Sequence, residues 1–205
     1  MRRGYFITLE GADGCGKTTQ SRLLQEYLEQ QGYEVVWTRE PGSIGLGQRI
    51  RELLLYYDGE VAPRCEAFLF LADRSQNIEH VIKPAVAEGK IVICDRHTDS
   101  TIAYQGYGRG ENIEELTYLN NLATAGMKPD LTIVFDVSTE VAQLRVGDEK
   151  DRMEAAGIEF HKKVRFGYLE LAKTEPERIK VVNADNSIEQ VFEDTKRIVN
   201  NMFKK

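Results

Sequence analysis

The stretch "YFITLEGADGCGKTTQ" (residues 5–20) decides the fold, because an apolar run is followed at once by a loop framed by glycines. From Gly11 the spacing G-x-x-x-x-G-K-T reaches Gly16, Lys17 and Thr18, which is the P-loop pattern. Such a loop follows a strand, opens a helix and turns its backbone N–H groups toward the phosphates of a nucleotide. The pattern predicts a nucleotide site but no particular reaction, since GTPases, transport ATPases and small-molecule kinases share it.

Each position of this loop has a predicted task in holding ATP. Lys17 is expected to reach the β- and γ-phosphates as a point charge, and the Thr18 hydroxyl to ligate Mg²⁺. The predicted ATP-binding residues of the loop are Gly11, Ala12, Asp13, Gly14, Cys15, Gly16, Lys17, Thr18 and Thr19. The alternative is a glycine-rich turn with an exposed lysine, and the strand before and helix after the loop weigh against it.

The remainder of the chain alternates short apolar runs with longer helical patterns. Strands are predicted over 5–10, 33–38, 90–95, 130–137 and 178–184, mostly as continuous apolar runs typical of strands covered on both faces. Helices are predicted over 18–32, over 63–89 with a kink or break at Pro84, and over 187–203. This alternation predicts an α/β protein with the P-loop NTPase fold, in which a five-stranded parallel sheet carries helices on both faces. Ligands are then expected at the carboxyl ends of the strands.

Composition limits the class of protein further. With 205 residues and no repeats or linker, the chain suits a single domain spanning 1–205. The formal net charge of -6 argues against a nucleic-acid partner, which usually requires a basic face. No stretch has the length of a signal peptide or membrane span, and the three cysteines indicate neither a disulfide framework nor a zinc site. We therefore expect a cytoplasmic protein with no membrane partner.

A second buried run, "IVICDRH" (91–97), ends in Asp95 and Arg96. A carboxylate at the carboxyl end of a strand can serve a metal ion and its waters beside a P-loop, and the arginine predicts a second anion close by. A surface ion pair at the end of the strand is the alternative. The chain has neither an N-K-x-D guanine-reading motif nor an L-S-G-G-Q-like stretch, so a kinase is favoured over a GTPase or a transporter ATPase.

Four further segments, taken in order, resemble the thymidylate kinase family. They are "TREPGS" (38–43), "FLFLADRSQ" (68–76), "DRHTDSTIAYQG" (95–106) and "KPDLTIVFDV" (128–137), and the resemblance covers nearly the whole chain. It implies transfer of the ATP γ-phosphoryl group to dTMP, giving dTDP and ADP, with Mg²⁺ as cofactor. It also implies a homodimer formed through helices that cover the sheet.

The resemblance implies a role for each matching residue of the dTMP site. Phe70 would stack on thymine and Arg74, one helical turn later, would donate to a thymine carbonyl. Arg96 would bind the dTMP phosphate, and the Tyr104 ring would crowd the 2′ position and so favour deoxyribose. The other implied dTMP-binding residues are Asp13 at the 3′-hydroxyl, Glu40, Arg51, Ser100, Thr101 and Gln105.

The P-loop interior has no arginine, so the resemblance implies that a lid around 144–157 supplies one. We expect Arg145 to bind ATP and Arg152 to supply the catalytic charge, a task that Lys150 can share. The predicted catalytic set is therefore Lys17, Asp95, Arg96 and Arg152, with Thr18 and Asp95 at the metal. Two segments depart from the family pattern: the lid is unusually acidic (Asp148, Glu149 and Asp151), and Ser43-Ile44 replace the usual glycine and threonine.

Two alternatives to this prediction stay open. One is a different nucleotide or deoxynucleoside kinase, which shares the P-loop and has another acceptor pocket. The other is a nucleotide-binding regulator that uses ATP as a switch without efficient transfer, and the acidic lid is its motivation.

Overall fold

The computed structural model describes residues 3–145 and 151–204. Its sheet consists of five strands, β1 (Tyr5–Glu10), β2 (Val35–Arg39), β3 (Ile91–Asp95), β4 (Leu131–Asp136) and β5 (Ile179–Asn183). The strands are all paired in parallel in the order β2-β3-β1-β4-β5. The predicted five-stranded parallel sheet of the P-loop NTPase fold is thus confirmed.

The helices connect these strands and cover the sheet. They are α1 (Lys17–Gln30), α2 (Leu46–Tyr56), α3 (Pro63–Asn77), α4 (Lys83–Ala87), α5 (Thr98–Thr101), α6 (Ile113–Ala123), α7 (Thr139–Arg145), α8 (Ile158–Thr174) and α9 (Ile188–Met202). Two π-helical segments, Ile78–Ile82 and Ile102–Gly108, continue α3 and α5, and a 3₁₀ turn spans Glu154–Ala156. None of the helices in this part of the chain is long and apolar enough to cross a membrane.

The core lies on both faces of the sheet because successive strand residues point to opposite sides. On one face Ile7 of β1 belongs to a cluster with Leu24 of α1 and Val199 of α9. On the other, Phe6 belongs to a cluster with Ile78, beside the end of α3. Burial on both sides explains why the central strands β1, β3 and β4 read as continuous apolar runs rather than as alternating ones.

Helix α1 ends at a glycine, as the sequence predicts. Gly32 adopts φ +81°, and its N–H donates to the carbonyl of Glu29 at 2.9 Å. The N–H of Tyr33 donates to the carbonyl of Leu28 at 3.1 Å. This pair of bonds is a Schellman motif, which closes the last turn and directs the chain into β2.

The kink or break predicted at Pro84 is observed as a π-helical turn just before this residue. Helix α3 passes into the π-helical segment Ile78–Ile82, and Pro84 then lies in the first turn of α4. The preceding residue, Lys83, donates its N–H to the Ile78 carbonyl across the wide turn, and Pro84 itself has no N–H that needs an acceptor.

Candidate active site

One cavity of about 710 Å³ opens at the carboxyl ends of β1, β2 and β3. Of the residues predicted for catalysis or for binding ATP, dTMP or metal, all except Gly11, Ala12 and Arg152 line it. The P-loop follows β1, Glu40 follows β2, and Asp95 ends β3, so the parallel order of these strands brings the predicted donor and acceptor residues together.

The P-loop is tightly wound at the start of this cavity. Gly11 adopts φ +138°, and a Cβ there would lie 2.6 Å from the carbonyl oxygen of Phe135, so only glycine fits. Lys17 is buried, and its Nζ donates to the carbonyl oxygens of Gly11 and Ala12 at 3.1 Å each. The ammonium group is therefore held inside the loop rather than extended into solvent, as a turn with an exposed lysine would have it.

Arg96 joins the P-loop to the acceptor side of the cavity. Its Nη2 donates to Asp13 Oδ1 at 2.6 Å and to the Tyr104 hydroxyl at 2.9 Å. Its Nη1 donates to Ser100 Oγ at 3.3 Å and to the Tyr168 hydroxyl at 3.2 Å. The backbone at Arg96 adopts φ +68°, a left-handed conformation that is costly for a residue with a side chain and is typical of functional sites.

Asp13 stays ionised under Arg96. Burial by itself raises the pKa of this carboxyl, but the charges of Arg96 and Lys17, together with hydrogen bonds from Tyr104 and Arg96, lower it to about 2. The Tyr104 hydroxyl donates to Asp13 Oδ2 at 2.9 Å, so both carboxylate oxygens are occupied and the P-loop is tied to the helix that follows β3.

Glu10 lies beneath this cluster and was not singled out from the sequence. Its Oε1 accepts the His97 N–H at 2.7 Å, and its Oε2 accepts the hydroxyls of Ser100 at 2.5 Å and Tyr168 at 2.9 Å. Burial and the charge of Asp99 raise the pKa of Glu10. The sequence signal that could have pointed to Glu10 is its place at the end of a buried strand, which Asp95 shares. The sequence around Tyr168 carries no such signal.

Arg74 is a buried part of the cavity wall and makes four hydrogen bonds to the protein. Nε donates to Glu40 Oε2 at 2.8 Å, and Nη2 to the carbonyl of His97 at 2.8 Å. Nη1 donates to Thr101 Oγ1 at 2.7 Å and to Asn120 Oδ1 at 2.5 Å. A guanidinium carries five N–H groups, which leaves one hydrogen on Nη2 without a partner among the described residues.

Glu40 is a buried counter-charge rather than a surface one. Burial raises the pKa of its carboxyl, but the charges of His97 and Arg74 and hydrogen bonds from His97 and Asn77 lower it to about 2.

The stripe of α3 that carries Phe70 and Arg74 continues one turn in each direction, beyond the residues that line the cavity. Phe70 and Arg74 both line the cavity, and Glu66 and Asn77 lie one turn before and one turn after them. Both added residues are buried and hydrogen-bonded, Glu66 to Gln105 and Asn77 to Glu40. The same helical spacing that paired Phe70 with Arg74 extends to Glu66 and could have found it.

The loop after β2 is held from two sides despite the unusual Ser43-Ile44. The Gly42 N–H donates to Asp73 Oδ1 at 2.9 Å, and Arg51 Nη1 donates to the Pro41 carbonyl at 3.0 Å. Burial and the charge of Glu40 raise the pKa of Asp73 to about 7. The structure therefore fixes the loop through its backbone, and Ser43 Oγ is buried without a hydrogen-bond partner in the described chain.

The two lid arginines lie in different places. Arg145 lines the cavity, and its Nη1 donates to the Ala184 carbonyl at 3.1 Å. Arg152, the predicted catalytic charge, lies off the cavity lining: its Nε donates to the Leu54 carbonyl at 2.9 Å and its Nη1 to Glu66 Oε2 at 2.6 Å. Residues 146–150, which include Asp148, Glu149 and Lys150, are outside the described residues.

A metal ion would find oxygen ligands on the P-loop side of the cavity. Asp95 Oδ1 is buried and has no hydrogen-bond partner in the described chain, and Thr18 is exposed on the same cavity. An unpartnered carboxylate oxygen and a hydroxyl are donors that Mg²⁺ accepts, so these residues fit the ion.

A P-loop that shares one cavity with Arg74 and Arg96 is typical of a P-loop kinase acting on a small phosphorylated acceptor. The comparisons with known proteins name the family. The family model for thymidylate kinase matches residues 9–195. The chain is 45% identical to the thymidylate kinase of Shouchella clausii, with 98% of this chain and 97% of that protein covered.

Two further relatives agree with this assignment. The chain is 50% identical to the thymidylate kinase of Clavibacter sepedonicus over 88% of this chain and 87% of that protein. The crystal structure of thymidylate kinase from Ehrlichia chaffeensis superposes with a TM-score of 0.80 at 37% identity, covering 96% of this chain and 99% of that one. The chain belongs to the thymidylate kinase family, and it is an ATP-dependent kinase that converts dTMP to dTDP.

Proposed function

We propose that the cavity performs this transfer with ATP on the P-loop and dTMP on the side of α3 and the helix after β3. The observation that carries this assignment is the 2.6 Å bond from Arg96 to Asp13, which joins the two sides of one cavity. Two phosphorylated ligands placed on either side of this pair would meet with their phosphates adjacent.

On the donor side, the P-loop amides and Lys17 bind the ATP phosphates. Thr18 and Asp95 hold Mg²⁺, which neutralises phosphate charge when bound. The Lys17 ammonium exchanges its present bonds to the Gly11 and Ala12 carbonyls for phosphate oxygens, which are stronger, charged acceptors.

On the acceptor side, Arg96 binds the dTMP phosphate and Phe70 stacks on thymine. Arg74 donates its one unpartnered hydrogen to a thymine carbonyl, and its four protein bonds fix the direction of that hydrogen. Tyr104 is locked between Asp13 and Arg96, so its ring can exclude a 2′-hydroxyl without yielding.

The reaction requires no strong general base. The second pKa of a phosphate monoester is near 6, so the attacking oxygen of dTMP is already largely anionic at neutral pH. The residues therefore contribute alignment and positive charge, with Lys17 and Arg96 on either side of the transferred group.

The lid supplies a further positive charge, for which Arg145 and Arg152 are the candidates. In the described structure Arg145 faces the cavity, whereas Arg152 reaches it only if its bond to Glu66 opens. Single alanine variants distinguish them: the arginine that stabilises the transferred charge lowers kcat by about 100-fold or more when removed. An Arg152→Ala variant with near-normal kcat would reject its catalytic assignment.

We also propose a homodimer formed through one face of α2, α3 and α6. α3 packs against both other helices, and the apolar side chains of Leu53, Phe68, Tyr118 and Leu122 on these helices are at least half exposed. Light scattering should show a dimer for the parent chain and a monomer for Phe68→Glu. Val181→Glu, at an exposed apolar position of β5, is the matched control and should remain dimeric. A monomeric parent chain would reject this interface.

A coupled ADP-release assay tests the reaction, with Mg-ATP against dTMP, dUMP, dCMP, dGMP, AMP and thymidine. Turnover selective for dTMP is expected. Turnover of another monophosphate alone would retain the P-loop roles and reject the acceptor site, and nucleotide binding without turnover would favour the regulator.

A reducing, cytoplasmic setting is supported by three free cysteines, of which Cys65 is exposed.

A further inference from the structure

Glu66 is a buried carboxylate on α3 with no role in the reaction described above. Only 1% of its side chain is exposed. Its Oε2 accepts Arg152 Nη1 at 2.6 Å and Arg109 Nη2 at 3.3 Å, and its Oε1 accepts Arg109 Nε at 3.3 Å. A carboxylate bonded by two guanidinium groups is ionised and can only accept hydrogen bonds.

The third partner of Glu66 is the amide of Gln105, a cavity-lining residue. Gln105 Nε2 donates to Glu66 Oε1 at 2.9 Å. Because Glu66 can only accept, the reversed amide would place two acceptors in contact, so the orientation of Gln105 is fixed by its partner.

The other end of this amide faces the cavity. Gln105 lines the cavity, whereas its partner Glu66 does not. With Nε2 bonded to Glu66 outside the lining, Oε1 is the end of the amide that is left to face the cavity. Gln105 thus presents an acceptor, and not a donor, to whatever occupies the base site.

We infer that Glu66 is a positioning residue for base selection: it holds Gln105 so that the amide oxygen accepts the N3–H of thymine or uracil and rejects cytosine. This rests on the proposed placement of the base beside Phe70 and Arg74. Thymine and uracil carry a hydrogen on N3, whereas the cytosine N3 is an acceptor, so cytosine would meet the Gln105 oxygen with no hydrogen between them.

The test compares kcat/KM for dTMP, dUMP and dCMP in the parent chain and in Glu66→Gln. A glutamine at position 66 can donate as well as accept, so Gln105 is free to turn and offer its NH₂ group to cytosine. The dCMP/dTMP ratio should rise about tenfold, since an unmatched polar pair costs at least that much. The preference should not invert, because Arg74 still faces the position of O4. The dUMP/dTMP ratio should stay constant, because both bases carry N3–H.

Three further variants separate positioning from a merely structural role. Glu66→Asp keeps an acceptor-only carboxylate and should retain the parental dCMP/dTMP ratio even if overall activity falls. Arg109→Gln removes one charged partner of Glu66 and should also leave that ratio unchanged. In a Gln105→Met background, Glu66→Gln should produce no additional change in the ratio, since the amide that it orients is gone.

The outcomes distinguish this inference from the proposed function. A parent chain that turns over no dTMP would overturn the placement of the base and this inference with it. A parent chain active on dTMP whose ratio is unmoved by Glu66→Gln overturns the role of Glu66 alone. Equal shifts for dUMP and dCMP would also reject it, because they would reflect general damage to the base pocket.

Discussion

At the scale of single residues, Arg96 combines features that cost folding free energy and are typical of functional sites. It combines a left-handed backbone conformation with a guanidinium bonded to Asp13, Tyr104, Ser100 and Tyr168. The surrounding residues over-determine its position, so the side chain is already placed before any phosphate arrives.

Replacing Arg96 by glutamine should therefore affect transfer far more than folding. Loss of charge-assisted bonds to the acceptor phosphate is worth about 3 kcal/mol, so kcat/KM for dTMP should fall by about 100-fold. Steady-state kinetics checks this, with Arg22→Gln on the exposed side of α1 as a control that should retain parental activity. A loss of less than fivefold in Arg96→Gln would contradict its role at the phosphate.

Asp73 gives a prediction about stability and pH. Its pKa is raised to about 7 in the folded chain by burial and by Glu40, against an ordinary value of 3.8. The folded state thus binds a proton more tightly than the unfolded state, and the stabilisation is lost as pH rises from about 4 to about 7. Asp73→Asn keeps an acceptor for the Gly42 N–H and carries no charge.

Urea unfolding from pH 5 to pH 8 measures this effect. The free energy of unfolding of Asp73→Asn, relative to the parent chain, should increase with pH and level off above about 7. Other titrating groups, Glu40 among them, are common to both proteins and cancel in the difference. A difference that is independent of pH would show that Asp73 titrates in its ordinary range.

At the scale of elements, the strands were the most predictable part of the chain. All five predicted ranges agree with the observed strands to within two residues. In the central strands β1, β3 and β4, burial on both faces forces a continuous apolar run, whereas the edge strands β2 and β5 are only partly buried. Helices α2, α5, α6, α7 and α8 were not predicted, and the longest of these are α2, α6 and α8. Their exposed faces carry apolar residues such as Leu53 and Tyr118, which blur the periodicity that marks an amphipathic helix.

The end of α1 offers a local test of these arguments. Gly32 adopts φ +81° with open space where a Cβ would lie, so Gly32→Ala introduces backbone strain and no steric clash. The free energy of unfolding should fall by about 1 kcal/mol. Gln31→Ala, at φ −82° in the adjacent position, is the control and should change it little. Equal effects of the two variants would contradict the role of the Schellman turn.

At the scale of the whole molecule, the sequence was a better guide to which residues lie together than to the contacts that hold them in place. The P-loop, Arg96 and Phe70 all line one cavity, as their motifs indicated. Arg152 does not, because the buried Glu66 binds its guanidinium, and a contact between residues 86 positions apart leaves no local pattern in the sequence. Tyr168 was missed for the same reason.

Thiol reactivity reports on the whole fold at once. Cys65 is exposed, whereas Cys15 and Cys94 are buried. Titration with a chromogenic disulfide at low protein concentration should show one fast thiol in the folded chain and three after denaturation. The fast phase should disappear in Cys65→Ser. Two fast thiols in the parent chain would mean that the P-loop or β3 opens more readily than their burial implies.

Arg74 shows how base recognition limits the ways in which this enzyme could change its substrate. Four of its N–H groups serve Glu40, Thr101, Asn120 and His97, and the one that remains is proposed to read the base. Replacing Arg74 to admit another base would therefore leave several buried polar groups without their hydrogen-bond donor. This would cost much of the stability of the fold. Laboratory evolution toward new acceptors should accordingly alter neighbours such as Gln105 and retain Arg74 in folded, active variants.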